Sequence, residues 1–171
     1  MQISMYQASV PVFVQFLTAF SAILKKAADH CAAKKIEPSV LVGARLTPDM
    51  FALARQVQIA SDHAKGAAAR LSGSEVPSFP DTETTFDELQ ARIAKTLDYI
   101  QSIKPEQIDG SEEKEIVLTF GRERFPFNGK DYLLHFALPN FFFHLSTAYG
   151  ILRHCGVEIG KRDFMGAPEK K

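Results

Sequence analysis

The sequence has no tryptophan, only two cysteines and no net charge, its 20 basic side chains matching its 20 acidic ones. Balanced charge argues against a dedicated nucleic-acid or anionic-membrane surface, which carries a basic excess. Cys31 and Cys155 stand in no CxxC or zinc-type spacing, so reduced thiols near helix ends are expected rather than a disulfide framework. No Walker loop, GxGxxG, GxSxG, HExxH or Cys/His cluster is present, which removes the common nucleotide-binding, hydrolase and zincin readings. Charge is also missing from residues 1–24, the first charged side chain being Lys25. A membrane span does not follow. Gln7, Ser9, Pro11, Gln15, Thr18 and Ser21 interrupt the run before the roughly 18 apolar residues of a span accumulate. Nor does a basic segment precede an apolar block, as it does in a signal peptide. The expectation is a cytoplasmic protein.

What is present is a Phe-rich apolar inventory, 14 phenylalanines in a chain that is 46% hydrophobic. Its 171 residues fit a single domain, 1–171, able to bury a core without staples. Tyr6, Val10, Phe13, Leu17, Phe20, Leu24 and Ala27 recur at steps of four and three, the stripe of an amphipathic helix. Pro11 either kinks this helix or sits in its first turn behind Ser9. Residues 34–46 read as a connecting loop. Thr47-Pro48-Asp49 predicts the start of a second helix, with Thr47 as cap. Its stripe is Met50, Leu53, Val57, Ala60, Ala64, Ala67 and Leu71, and Gly73 ends it. A third helix is predicted over Thr84–Ile103, capped by Thr84 or Thr85, after a loop over 74–81.

The period then changes. Ile116, Leu118 and Phe120 alternate, and beyond Gly121-Arg122 so do Phe125 and Phe127, which predicts a small β-hairpin. A last helix begins near Asn128–Asp131, with Leu134, Leu138, Phe141, Leu145, Ala148 and Leu152 as its stripe; Pro139 must bend or break it. Gly156 is its stop, and Phe164 and Met165 are candidate anchors in a short basic tail. The fold expected is all-α: a four-helix bundle with a small β-hairpin before the last helix.

Chemistry can sit where polar groups interrupt apolar helices. Asn140 and His144 are four apart and leave the last helix on one side. They can hold a ligand or metal between two turns, or satisfy carbonyls that Pro139 frees. Gln58 and Asp62 have the same spacing on the second helix, where a solvated face is the alternative, and His63 flanks the apolar stripe.

The segments SMYQASVPVF (4–13), RQVQIASDHAKGAAARL (55–71), PSFPDTETTF (77–86), DYLLHFALPNFFFH (131–144) and GVEIGKRDF (156–164) resemble the DinB/YfiT-like four-helix-bundle superfamily, most closely a branch of unknown function. The resemblance implies a bundle, often a homodimer. It also implies a divalent ion, nickel or zinc, on three histidines, one from helix two and two from helix four. Some members use the metal to activate a thiol for transfer. Here His144 matches one histidine of the helix-four pair, Asn140 replaces the other, and Gln58 is the best match on helix two, with Asp62 and His63 as competitors. One imidazole and two amides suit a borderline transition ion poorly. The expected site is therefore a metal centre weakened or lost, leaving a small-molecule pocket lined by Gln58, Asp62, His135, Asn140 and His144. The alternative is a metal-dependent thiol transferase or hydrolase using His144.

Overall fold

A computed structural model of the chain describes residues 3–166; residues 1–2 and the end of the basic tail, 167–171, lie outside it. The first stripe becomes α1 (Val10–Lys34), and Pro11 lies in its first turn, where a missing N–H costs nothing. Ser9 precedes it without capping forward: its hydroxyl donates to the carbonyls of Met5 and Tyr6 instead. By length and composition α1 could cross a membrane, yet Phe13, Leu17, Phe20, Ile23, Leu24 and Ala27 are all buried in the core. Residues 34–46 are not entirely loop, since α2 (Pro38–Val42) forms within them.

The second long helix starts later than Thr47 predicts. It is α3 (Leu53–Ser72), preceded by an extended Ala52 that offers no side-chain cap. Thr47 spends its hydroxyl on the Asp49 carboxylate and closes a turn onto the Met50 N–H, while the Leu53 N–H is taken by the Ala44 carbonyl. The local cap signal loses to a tertiary hydrogen bond. The far end is as expected: Gly73 takes the left-handed conformation (φ +80°) and closes the helix. Next comes α4 (Phe86–Ser102), opened by a capping box in which Thr85 and Glu88 satisfy each other's backbone N–H groups. A single turn, α5 (Pro105–Ile108), follows.

Strands β1 (Glu115–Phe120) and β2 (Glu123–Asn128) pair antiparallel around Gly121-Arg122. Their register sets Ile116 against Phe127 and Leu118 against Phe125, giving one apolar face, whose Ile116 and Leu118 are buried in the core. Pro126 opposes Val117, on the edge strand that tolerates it. After α6 (Gly129–Asp131), capped by Asn128, the chain makes a π-helical turn over Tyr132–Ala137 and continues as α7 (Leu138–His154). The wider turn shifts the helical register before Pro139. Tyr132 and Leu133 are buried as a result, and Leu134, expected in the stripe, is exposed. Downstream the stripe holds through Phe141, Leu145, Ala148 and Leu152. Gly156 ends the helix, and α8 (Lys161–Met165) returns the chain to α1. There Phe164 packs on Phe16 and Tyr149, while Met165 contributes its carbonyl to Gln15.

Four long helices thus form the bundle. Contacts run from α1 to α4, from α4 to α3 and from α3 to α7. Edge-on rings close the circle between α7 and α1, Phe13 on Phe141 and Phe16 on Phe142. Ala60, Ala64, Ala67 and Ala68 are fully buried and let the backbones around α3 approach closely. Cys31 and Cys155 are free thiols near the ends of α1 and α7, each raised above the usual thiol range by burial first of all.

Candidate functional site

Helix α3 presents polar groups to two different neighbours. Gln58, Asp62 and Lys65 succeed one another at four and three residues and share a face, which meets α4 and the loop before it. Gln56 and His63, seven apart, share another, which meets α7.

On the α4 side the organising residue is Arg92, whose side chain is 1% exposed. Its guanidinium donates to Asp62 at 2.9 Å, Glu83 at 3.0 Å and the Pro80 carbonyl at 3.0 Å, and pairs with the Asp81 carboxylate at 3.0 Å. Lys65 also reaches Asp62, at 2.8 Å, and Arg55 pairs with Asp81. The Gln58 amide donates to Glu83 at 3.0 Å and accepts from Arg55 at 3.3 Å. Phe79 lies under the ammonium groups of Lys65 and Lys95, each 4.2 Å from the ring centre. Three cations answer three carboxylates, so the cluster is neutralised from within. Its chemistry is that of a clamp holding residues 74–85 against the bundle.

On the α7 side the residue is His144. Its Nδ1 lies 2.7 Å from Gln56 Oε1, and Gln56 Nε2 donates to the Phe51 carbonyl at 3.1 Å. Because a carbonyl can only accept, the Phe51 contact fixes which end of the amide faces the ring. His144 therefore carries its proton on Nδ1, and Nε2 holds a lone pair that meets no donor among the described residues. Burial, helped by the Arg55 charge, lowers the His144 pKa. His63 stands beside it, the rings nearly parallel (14°) with centres 6.0 Å apart. Burial, then the neighbouring His144, brings the His63 pKa down to about 4; Arg70 acts in the same sense and Asp62 opposes them. The two rings are therefore neutral at pH 7. Phe143 packs edge-on to His144 at 5.2 Å, and Phe136 lies 5.7 Å from His63.

The five side chains read from the sequence as one pocket are thus distributed. Gln58 and Asp62 belong to the Arg92 cluster. Asn140 donates to the Phe136 carbonyl at 2.7 Å, one turn back at the join of π- and α-helix. His135 is exposed, 3.9 Å from Asp131. His144 alone faces α3 with a free nitrogen. Gln56 was missed and His63 ranked behind Gln58; their seven-residue spacing was the available signal. Two open surface grooves, of about 400 and 310 Å³, are lined by residues such as Glu113 and Asn128 in one and His30 and Glu158 in the other. Neither includes any of the five.

The three-ligand site that the resemblance implies is not matched by this donor set. His144 and His63 adjoin, but Asn140 is committed to its own backbone. Among the described residues no three His, Cys, Asp or Glu side chains converge so as to hold a metal ion.

Residues 5–165 match the family described as Domain of unknown function (DUF1993). A crystal structure of a DinB family member protein from Shewanella denitrificans is similar throughout, with a TM-score of 0.87 and 39% sequence identity. That match covers 97% of this chain and 94% of the other. No curated protein matches the chain. The helical bundle is the arrangement that the sequence resemblance implies, the small hairpin is the one that the alternation of residues 116–127 predicts, and the chain belongs to the DUF1993 family.

Proposed function

We propose that this protein binds a small molecule at the His63–His144 pair between α3 and α7, on a DinB-type bundle that has given up the three-ligand metal centre. The observation that carries this is the tautomer of His144. Gln56 takes the proton on Nδ1 and leaves Nε2 as a bare acceptor beside a second neutral imidazole, in an aromatic setting. His144 Nε2 is not one of the buried side-chain atoms left without a partner among the described residues, so it is open to an incoming donor, and an accessible acceptor beside a second neutral imidazole in an aromatic surround suits a small organic ligand. Two imidazoles without a third protein donor leave a nickel or zinc ion under-coordinated. This favours ligand binding over the metal-dependent thiol transferase or hydrolase built on His144.

Two measurements test the proposal. Tag-free protein exposed to nickel or zinc and then dialysed is expected to retain far less than one equivalent, with no difference in His144→Ala. One tightly held equivalent, lost in both His144→Ala and His63→Ala, would overturn it. A panel of small neutral organic fragments, followed through the histidine ring NMR signals, is expected to move His63 and His144 but not the exposed His135. A panel that moves neither ring of the pair counts equally against the proposal.

A further inference from the structure

Three described arginines are drawn at least partly into the fold, and their partners differ. Arg92 and Arg55 meet carboxylates, those of Asp62, Asp81 and Glu83. Arg70, half-buried near the end of α3, meets none among the described residues. Its partner is neutral: Nη1 donates to the Tyr132 hydroxyl at 3.0 Å. A guanidinium carries five N–H donors and no acceptor, and a charge drawn from water is ordinarily answered by an opposite one.

Tyr132 adds a second donor. Its side chain is fully buried, its oxygen accepts from Arg70, and its own proton reaches no acceptor among the described residues. Burial first of all raises this phenol above its usual range, with Arg70 opposing, so the proton stays at neutral pH. Neighbouring carboxylates are turned elsewhere. Asp131, next to Tyr132 in sequence, accepts from Asn128 at 3.0 Å, and Asp62 is held by Lys65 and Arg92. The corner therefore has donors and positive charge in surplus and nothing to receive them.

The arginine is also placed. Gly66, one turn before Arg70, stands inside a helix, where glycine is a poorer choice than alanine. A Cβ at that position would collide with Arg70 Nη1. The bare backbone at Gly66 is what lets the guanidinium lie back along α3 and reach Tyr132.

We propose that Arg70 and Tyr132 form a binding site for the carboxylate of a small organic acid, separate from the imidazole pair and independent of it. The remaining guanidinium N–H groups donate to the carboxylate, whose planar shape this fork matches, and the Tyr132 hydroxyl gives its hydrogen bond to the same group. One positive charge answers one negative charge, whereas a phosphate dianion would keep a charge uncompensated.

Sodium acetate titrated into the full chain at neutral pH tests this, followed through the Arg70 Nε–H and Tyr132 ring NMR signals. Acetate is expected to move both saturably, at millimolar concentration as suits a half-exposed pair. Sodium chloride at equal concentration and acetamide, which keeps the shape and loses the charge, should act about tenfold more weakly or not at all. Tyr132→Phe, which keeps the ring, should weaken acetate about tenfold. Gly66→Ala should stay folded in a thermal melt, because the flexible arginine yields to the new methyl, and should weaken acetate about as much. Silence toward acetate overturns the proposal, as does a response to chloride or acetamide equal to that for acetate. Acetate binding unchanged in both Gly66→Ala and Tyr132→Phe would leave Arg70 a surface cation and overturn it too, and phosphate binding more tightly than acetate would overturn the carboxylate assignment. The His63–His144 reading stands or falls on its own fragment panel.

Discussion

His144 on α7 donates from Nδ1 to the side-chain oxygen of Gln56 on α3, 2.7 Å away, and the Phe51 carbonyl holds the other end of that amide. One hydrogen bond thus ties two helices together and decides which nitrogen of the ring stays open.

Gln56→Leu removes the acceptor while keeping the volume. The His144 Nδ1–H is then buried without a partner, and stability should fall by about 1–3 kcal/mol, measured by urea unfolding. Nitrogen NMR of the ring should show the Nδ1–H tautomer alone in the parent and a mixture in the variant.

His63 gives the protein an acid sensitivity of known sign. With its pKa near 4 in the fold and about 6.5 in the unfolded chain, the unfolded state binds more protons between those values. Stability is therefore complete above about pH 6.5 and declines as pH falls toward 4, by up to about 3 kcal/mol from this group. His144, lowered in the same direction, adds to the slope. Asp163, held low by its hydrogen bond from Lys26, loses its contribution further into acid. His63→Phe should flatten the pH 4–6.5 limb of stability measured by chemical denaturation. An unchanged limb would show that His63 is not buried as a neutral ring.

Arg92→Met leaves Glu83 with only the Gln58 amide, while Asp62 keeps Lys65 and Asp81 keeps Arg55. Breaking a buried pair from one side costs about 3–5 kcal/mol, and proteolytic nicking between residues 74 and 85 should accelerate as the clamp opens. Lys25→Ala, which removes an exposed pair with Asp29, should cost less than about 1 kcal/mol in the same denaturation assay.

Gly129→Ala should be among the most damaging single methyl additions. A Cβ there would lie 1.9 Å from the Ser111 carbonyl oxygen, a backbone atom with no rotamer to yield. The base of the hairpin must shift, costing about 1–3 kcal/mol or more in a thermal melt. Gly160→Ala, whose Cβ meets nothing within 4 Å, is the control and should stay within about 1 kcal/mol.

Much of this molecule is legible locally. The stripes through Phe13, Leu17 and Phe20 or Leu53, Val57 and Ala60 need only the helical period, and the Thr85–Glu88 box and Gly73 need only neighbours within a few residues. The misreadings occur where a distant group intervened. Thr47 looked like a cap until the Ala44 carbonyl claimed the Leu53 N–H. Leu134 fitted the stripe until the π-helical turn inserted a residue into the register.

The candidate site divides in the same way. Sequence alone determined four amphipathic helices, a hairpin and a histidine on the last helix, because periodicity, capping and turn chemistry act over a few residues. Only the tertiary structure decided which face of α3 turns toward α7, and so that Gln56 and His63 rather than Gln58 and Asp62 stand beside His144. Residues 56 to 63 all lie within two turns of one helix, and their spacing cannot say which side a helix some eighty residues later will cover. That choice belongs to the packing of the whole bundle, made when Arg92 and the 74–85 loop claim the opposite face.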